Sequence, residues 1–113
     1  MSSETQVRIP RRKPRAANIG VFGVGHQTYW SQFDGLLNEL MGKLDVFVKR
    51  VEARGVQVTD FGMVDCAQAA YALLPRLQAA DLDLVFCDML TYATSATFGV
   101  LIRSLGVPIV LVA

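Results

Sequence analysis

Ile19-Gly-Val-Phe-Gly-Val-Gly-His-Gln-Thr-Tyr-Trp30 is the stretch on which the fold turns. It reads as a short apolar strand, Ile19 to Gly23. The strand stops at Gly23-Val24-Gly25 and delivers His26, Gln27, Thr28, Tyr29 and Trp30 into the turn before a helix. In an open parallel sheet, ligands settle in the crevice beyond the carboxyl ends of the strands. A first strand that ends in glycines followed by polar and aromatic side chains is therefore a candidate site. The alternative is that the glycines only make a tight turn and the aromatics only cap the core.

From Trp30 the apolar positions continue at Phe33, Leu36, Leu37, Leu40, Met41, Leu44, Phe47, Val48 and Val51. Steps of three and four predict one helix of about seven turns with a single buried stripe. Ser31 with Asp34 three residues on is a start signal of the capping-box type, Asp45 and Lys49 form an i, i+4 pair, and Gly55 ends the helix. Gly35 and Gly42 lie on one side of it, where close approach to a neighbouring backbone is the expected return. Val56 to Phe61 alternates as a second strand. Asp65 with Gln68 opens the next helix, and Pro75, lacking an amide hydrogen, predicts a kink or early break in it. Leu82 to Cys87 is nearly continuously apolar, as a central parallel strand is. Asp88-Met-Leu-Thr-Tyr-Ala-Thr-Ser then forms a second polar and aromatic loop at a strand's carboxyl end. A helix from about Ala93 to Leu105 closes at Gly106, and Val107 to Val112 is the fourth strand.

The order βαβαβαβ with right-handed crossovers predicts a doubly wound parallel α/β sheet. The expected architecture is Rossmann/flavodoxin-like, three-layered αβα, with strand order 2-1-3-4 over residues 18–113. The 113 residues suffice for one domain. The sequence stops on a hydrophobic strand with no covering helix. The expectation is that it is the front part of a longer protein, or that a partner supplies the missing layer.

The net charge of +1 hides an asymmetry. Five of the eleven basic residues are Arg8, Arg11, Arg12, Lys13 and Arg15, so the body from Ala16 onward carries a net −3. Residues 1–17 read as a basic, disordered leader: they hold Pro10 and Pro14 and no interleaved aromatics, which argues against a nucleic-acid arm. No apolar core region follows the charges, so no signal peptide is predicted. No apolar run approaches the ~20 residues of a membrane span. Cys66 and Cys87 form no CxxC motif, and reduced thiols in the cytoplasm are expected.

Several chemistries fail on spacing. A dinucleotide fingerprint needs a third small residue where Thr28 stands, and a ribose-binding acid about 20 residues on. Asp60 comes 35 residues after Gly25. No Gly-Lys-Ser/Thr marks a P-loop. Asp88 sits where a receiver-type phosphoacceptor would, but His26 and Gln27 stand in place of the acidic pair that would hold its magnesium. One histidine and scattered carboxylates give no metal cluster, and Gly-x-Ser-x-Gly is absent. What remains is a polar rim in which His26, Gln27 and Tyr29 from the first loop meet Thr91, Tyr92 and Thr94 from the third. Amide, hydroxyl and imidazole groups beside aromatic faces suit a polyhydroxylated ligand. Trp30 is expected to anchor its helix to the core, and Asp88 either caps the following turn or binds ligand.

The first loop, the long amphipathic helix and the later Cys87-Asp-Met-Leu-Thr-Tyr-Ala-Thr-Ser-Ala96 together resemble the amino-terminal domain of the L-arabinose isomerase and L-fucose isomerase family. The likeness runs from about Asn18 to Ala113. The arabinose isomerases carry a Gly-Ser-Gln-His-Leu-Tyr type of sequence in the first loop. Gln27 matches its glutamine, Tyr29 and Trp30 fall where Leu and Tyr stand, His26 replaces the serine, and Thr91-Tyr92 falls on a Thr-Phe pair. The resemblance implies a multi-domain, homo-oligomeric aldose–ketose isomerase of L-sugars. In that family the amino-terminal domain lends substrate contacts to a neighbouring subunit's active site. A divalent metal, usually Mn2+, is held there by glutamates and histidines of later domains, so its ligands fall outside this segment. On that reading Gln27, Tyr29, Tyr92, His26 and Thr91 contact the aldose or ketose, no catalytic residue lies in the segment, and the segment alone is inactive. Two alternatives stand beside it: a non-enzymatic sugar- or nucleotide-binding module of periplasmic-binding-like fold, and a pure assembly domain. Nucleic acid and membrane are not expected partners.

Overall fold

The structure is a computed structural model that describes residues 17–91 and 95–112. The basic leader up to residue 16, and Tyr92 and Thr94 of the third loop, lie outside the described residues. In chain order the elements are β1 (Asn18–Val24), α1 (Tyr29–Gln32), α2 (Leu36–Glu52), β2 (Gln57–Val64), α3 (Ala67–Ala79), β3 (Leu84–Met89), α4 (Ser95–Ser104) and β4 (Ile109–Val112). The four strands form one parallel sheet in the order β2-β1-β3-β4. This is the doubly wound α/β arrangement that the element order predicts. No described helix is long and apolar enough to cross a membrane.

The sheet is covered on both faces, unequally. On one face Ala70, Leu73 and Leu77 of α3, with Leu101 of α4 and Leu105 just beyond it, pack on Phe22, Val24, Val64, Val85 and Cys87. On the other, Leu44 and Val48 of α2 pack alone on Ile19 and Val21, with Phe47 meeting Phe86 edge-on at 5.5 Å. The central strands therefore bury both faces: Val21, Phe22, Val24, Val85 and Cys87 have 0% exposure. The amino end of β1 is tied down as well. The Asn18 amide nitrogen donates to the Asp83 carboxylate at 2.7 Å, and its side-chain amide donates to the carbonyls of Ala80 and Asp81 at 3.0 Å.

Four local expectations need correction. The single long helix is two: α1 is one turn, Phe33 is extended, and Gly35 at φ +81 starts α2. The left-handed Gly35 lets the chain change direction between them. Phe33 is 54% exposed and Met41 38%, so the buried stripe narrows to Leu40, Leu44 and Val48. The expected cap residues do not cap. Ser31 donates to the Thr28 carbonyl at 3.3 Å, and the N-cap residues Thr28, Gly35 and Cys66 make no side-chain cap bond. Pro75 does not end α3, which runs to Ala79. Pro75 and Arg76 are exposed, on the side where a carbonyl freed by the missing amide meets water. Finally, the close approach expected of Gly35 and Gly42 is absent: a Cβ built on either meets nothing within 4 Å. The Asp45–Lys49 pair does form, at 3.4 Å.

Candidate functional site

β1 connects through its helices to β2 on one side, while β3 lies on the other, so the strand order reverses between β1 and β3. Such a switch point leaves a crevice where the two outgoing loops diverge. Val24 pairs with Met89, and the Leu90 amide donates to the Val24 carbonyl at 3.3 Å, so the first and third loops leave the sheet side by side. The second loop joins them. Gly25 donates its amide to the Val64 carbonyl and Gln27 to the Asp65 carbonyl, each at 3.1 Å. Three strand ends thus converge on one rim.

The glycines at the end of β1 are there for space. Neither Gly23 nor Gly25 has a positive φ. A Cβ on Gly25 would lie 2.8 Å from the Trp30 ring, and one on Gly23 would lie 2.6 Å from a Leu90 methyl. The Trp30 indole lies against Gly25, and its Nε1 donates to Asp65 Oδ2 at 2.7 Å. That bond ties α1 to the β2–α3 turn, so Trp30 anchors its helix as expected. Asp65 serves the indole rather than capping α3, a pairing across 35 residues that no local signal announces.

Of the predicted site residues, four are described. Gln27 is exposed; its backbone amide donates to the Asp65 carbonyl and its own carbonyl accepts from the Trp30 amide at 3.3 Å, leaving the side-chain amide at the surface. His26 stacks on Tyr29 with ring centroids 5.0 Å apart, and its Nδ1 lies 2.8 Å from Thr28 Oγ1. Tyr29 in turn meets Phe33 edge-on at 5.9 Å. Thr91 is half-buried at the start of the third loop. Tyr92 lies outside the described residues. The first loop therefore presents an imidazole–phenol stack beside a surface amide, an arrangement with aromatic faces and neutral hydrogen-bonding groups.

Among the described residues no group of three or more His, Cys, Asp or Glu side chains converges.

Asp88, at the carboxyl end of β3, is the deepest acidic group at this edge among the described residues, with 8% exposure. Burial holds its carboxyl above the usual carboxylate range. Beside it, burial and then the Asp88 charge push the Cys87 thiol up to about 12. Between the unfolded and folded values of Asp88, the folded state keeps a proton that the unfolded state has lost. Stability therefore falls as pH rises through that window and levels off above it. Asp88→Asn is expected to raise the melting midpoint by a few degrees at pH 7 and to leave it unchanged below the free carboxylate range. Thermal melts of both proteins across a pH series check this. A gap independent of pH contradicts the assignment.

Comparison with protein-family models, with curated protein sequences and with solved structures finds no match to this chain.

Proposed function

We propose that this chain is the amino-terminal, substrate-contacting and oligomer-forming domain of a metal-dependent aldose–ketose isomerase of the L-arabinose and L-fucose type. The observation that carries the reading is the meeting of the first and third loops at the β1/β3 switch point, sealed by the Leu90-to-Val24 hydrogen bond. The groups offered there by Gln27, His26, Tyr29 and Thr91 suit hydroxyls rather than phosphates. The described rim presents no lysine or arginine in either loop. In this reading the Gln27 amide and the Tyr29 and Thr91 hydroxyls orient the sugar, Tyr92 joins them, and His26 supports Tyr29 by stacking. The isomerisation itself belongs to residues and a metal outside this segment, and homo-oligomer formation brings the rim to a neighbour's active site.

The test uses the protein as its gene encodes it, supplied with manganese. Ketose formation from L-arabinose or L-fucose is expected. Gln27→Ala is expected to raise KM about three- to tenfold, the loss of one neutral hydrogen bond of about 0.5–1.5 kcal/mol. Because the side chain is exposed, its melting midpoint should not change. Thermal stabilisation of metal-free protein by sugar, without turnover, would move the assignment to a binding module. Indifference to every aldose would remove it.

A further inference from the structure

β3 alternates strictly between the two faces of the sheet. Val85, Cys87 and Met89 pack into the cluster that α3 and α4 cover, while Leu84, Phe86 and Leu90 pack into the cluster that α2 covers. Parity therefore puts the Asp88 side chain on the α2 side, between Phe86 and Leu90 along the chain. Across the sheet it stands between Gly23 of β1 and Val112 of β4. Val110, beside Phe86 on the same side, is 41% exposed, so α2 leaves this half of the sheet open. One position beyond Asp88, the pairing of Val24 with Met89 ends the two strands and the crevice begins.

Other carboxylates of the chain have donors. Asp83 accepts the Asn18 amide at 2.7 Å, Asp65 the Trp30 indole at 2.7 Å, and Asp60 the Gly62 amide at 2.9 Å. Asp88 is buried more deeply than any of these three, yet among the described residues no hydrogen bond or ion pair reaches its carboxyl. Its neighbours Phe86, Leu90 and Val112 have no polar side-chain atom to offer. A buried acceptor without a donor costs stability and calls for an explanation. A cost of this kind is met at sites where a ligand brings the missing group.

We infer that the Asp88 carboxylate accepts hydroxyl hydrogens from a neutral polyhydroxylated ligand in the β1/β3 crevice and excludes ligands that carry their own negative charge. The inference rests on the sugar-contacting reading of the rim and adds the charge that Gln27, Tyr29 and Thr91 do not supply. The two oxygens of a carboxylate match adjacent hydroxyls of a sugar chain, each of which is a donor. Such charge-assisted bonds are stronger than those a neutral amide or hydroxyl makes. An anionic ligand would instead set like charges together where little water screens them, and neither rim loop holds a lysine or arginine to offset them.

Titration calorimetry of the metal-free protein, as its gene encodes it, compares L-arabinitol with L-arabinonate, which differ only at one terminal carbon. The neutral polyol is expected to bind, and the anion about tenfold more weakly or worse. Asp88→Asn keeps the size of the side chain and removes its charge. It should weaken L-arabinitol about tenfold or more and narrow the gap between the two probes. Its melting midpoint at neutral pH should stay at or above that of the parent. A lowered midpoint would mark the carboxyl as a structural group and overturn the inference. So would unchanged affinity for L-arabinitol, or a parent protein that binds neither probe or prefers the anion. Gln27→Ala separates this inference from the reading beneath it. Raised KM in Gln27→Ala with intact polyol binding in Asp88→Asn would remove the role of Asp88 alone.

Discussion

Leu44→Ala is expected to cost about 3–5 kcal/mol of folding free energy, a large part of what a domain of this size has. Leu44 has 0% exposure and lies in the centre of the face that α2 alone covers. Its methyl carbons would stand 3.4 and 3.5 Å from a Cβ at Gly23, so the side chain fills the space that the missing glycine side chain leaves. Among the described residues no second helix packs into this cluster to collapse into the void, which places the cost toward the upper end of the range for buried leucines. A fall of about 10–20 °C in the melting midpoint follows. Leu111→Ala, at a residue 54% exposed on the edge strand, should change stability by less than about 0.5 kcal/mol. Comparable losses at the two positions would mean that α2 is not packed as described.

The second large effect is at Gly25. A methyl group there meets the Trp30 ring at 2.8 and 3.0 Å and Met63 Sδ at 3.3 Å. The indole cannot swing aside without giving up its 2.7 Å bond to Asp65. Gly25→Ala is therefore expected to destabilise by about 1–3 kcal/mol. Trp30→Ala alone should also cost about 1–3 kcal/mol, since it leaves the half-buried Asp65 carboxylate without its indole donor. In the Trp30→Ala background, Gly25→Ala should cost almost nothing. The cycle would then yield a coupling of about 1–3 kcal/mol between the two sites. Denaturant melts of the four proteins measure it, and additive losses would show that the indole does not lie over Gly25.

Element order, parallel pairing and the β1/β3 switch point were legible because the first, third and fourth strands are short apolar runs, the second alternates, glycine stands beside all but the third, and the intervening periodicity is helical. The misread features share a cause. The stripe from Trp30 to Val51 keeps helical spacing straight through Phe33-Asp34-Gly35, so periodicity alone cannot see that the chain must turn there to clear the rim. Only the positive φ of Gly35 marks the turn. Pro75 predicts a kink or an early break, and the break does not occur because a local rule takes no account of its exposed side of α3. Asp65 carries a cap-like spacing to Gln68, yet its partner is an indole 35 residues away. The loops' nearness to one another was legible from topology, whereas Tyr92 lies outside the described residues.

The pairing of β1 with β2 slips by one residue: Val21 sits opposite Asp60, but Gly23 sits opposite Met63. Gly62, at φ +85 and donating its amide to the Asp60 carboxylate at 2.9 Å, accommodates the extra residue. Side-chain direction in a strand depends on parity. The inserted residue thus resets the phase of everything after it, turning Val64 toward α3 while Val58 upstream faces α2. Asp65, which follows, reaches the indole on this new phase. The length of this strand, more than the identity of any residue in it, decides whether the carboxylate and the ring meet. Close variants of this chain should then tolerate exchanges at Thr59 or Phe61 far better than the loss of a single position between them and Val64.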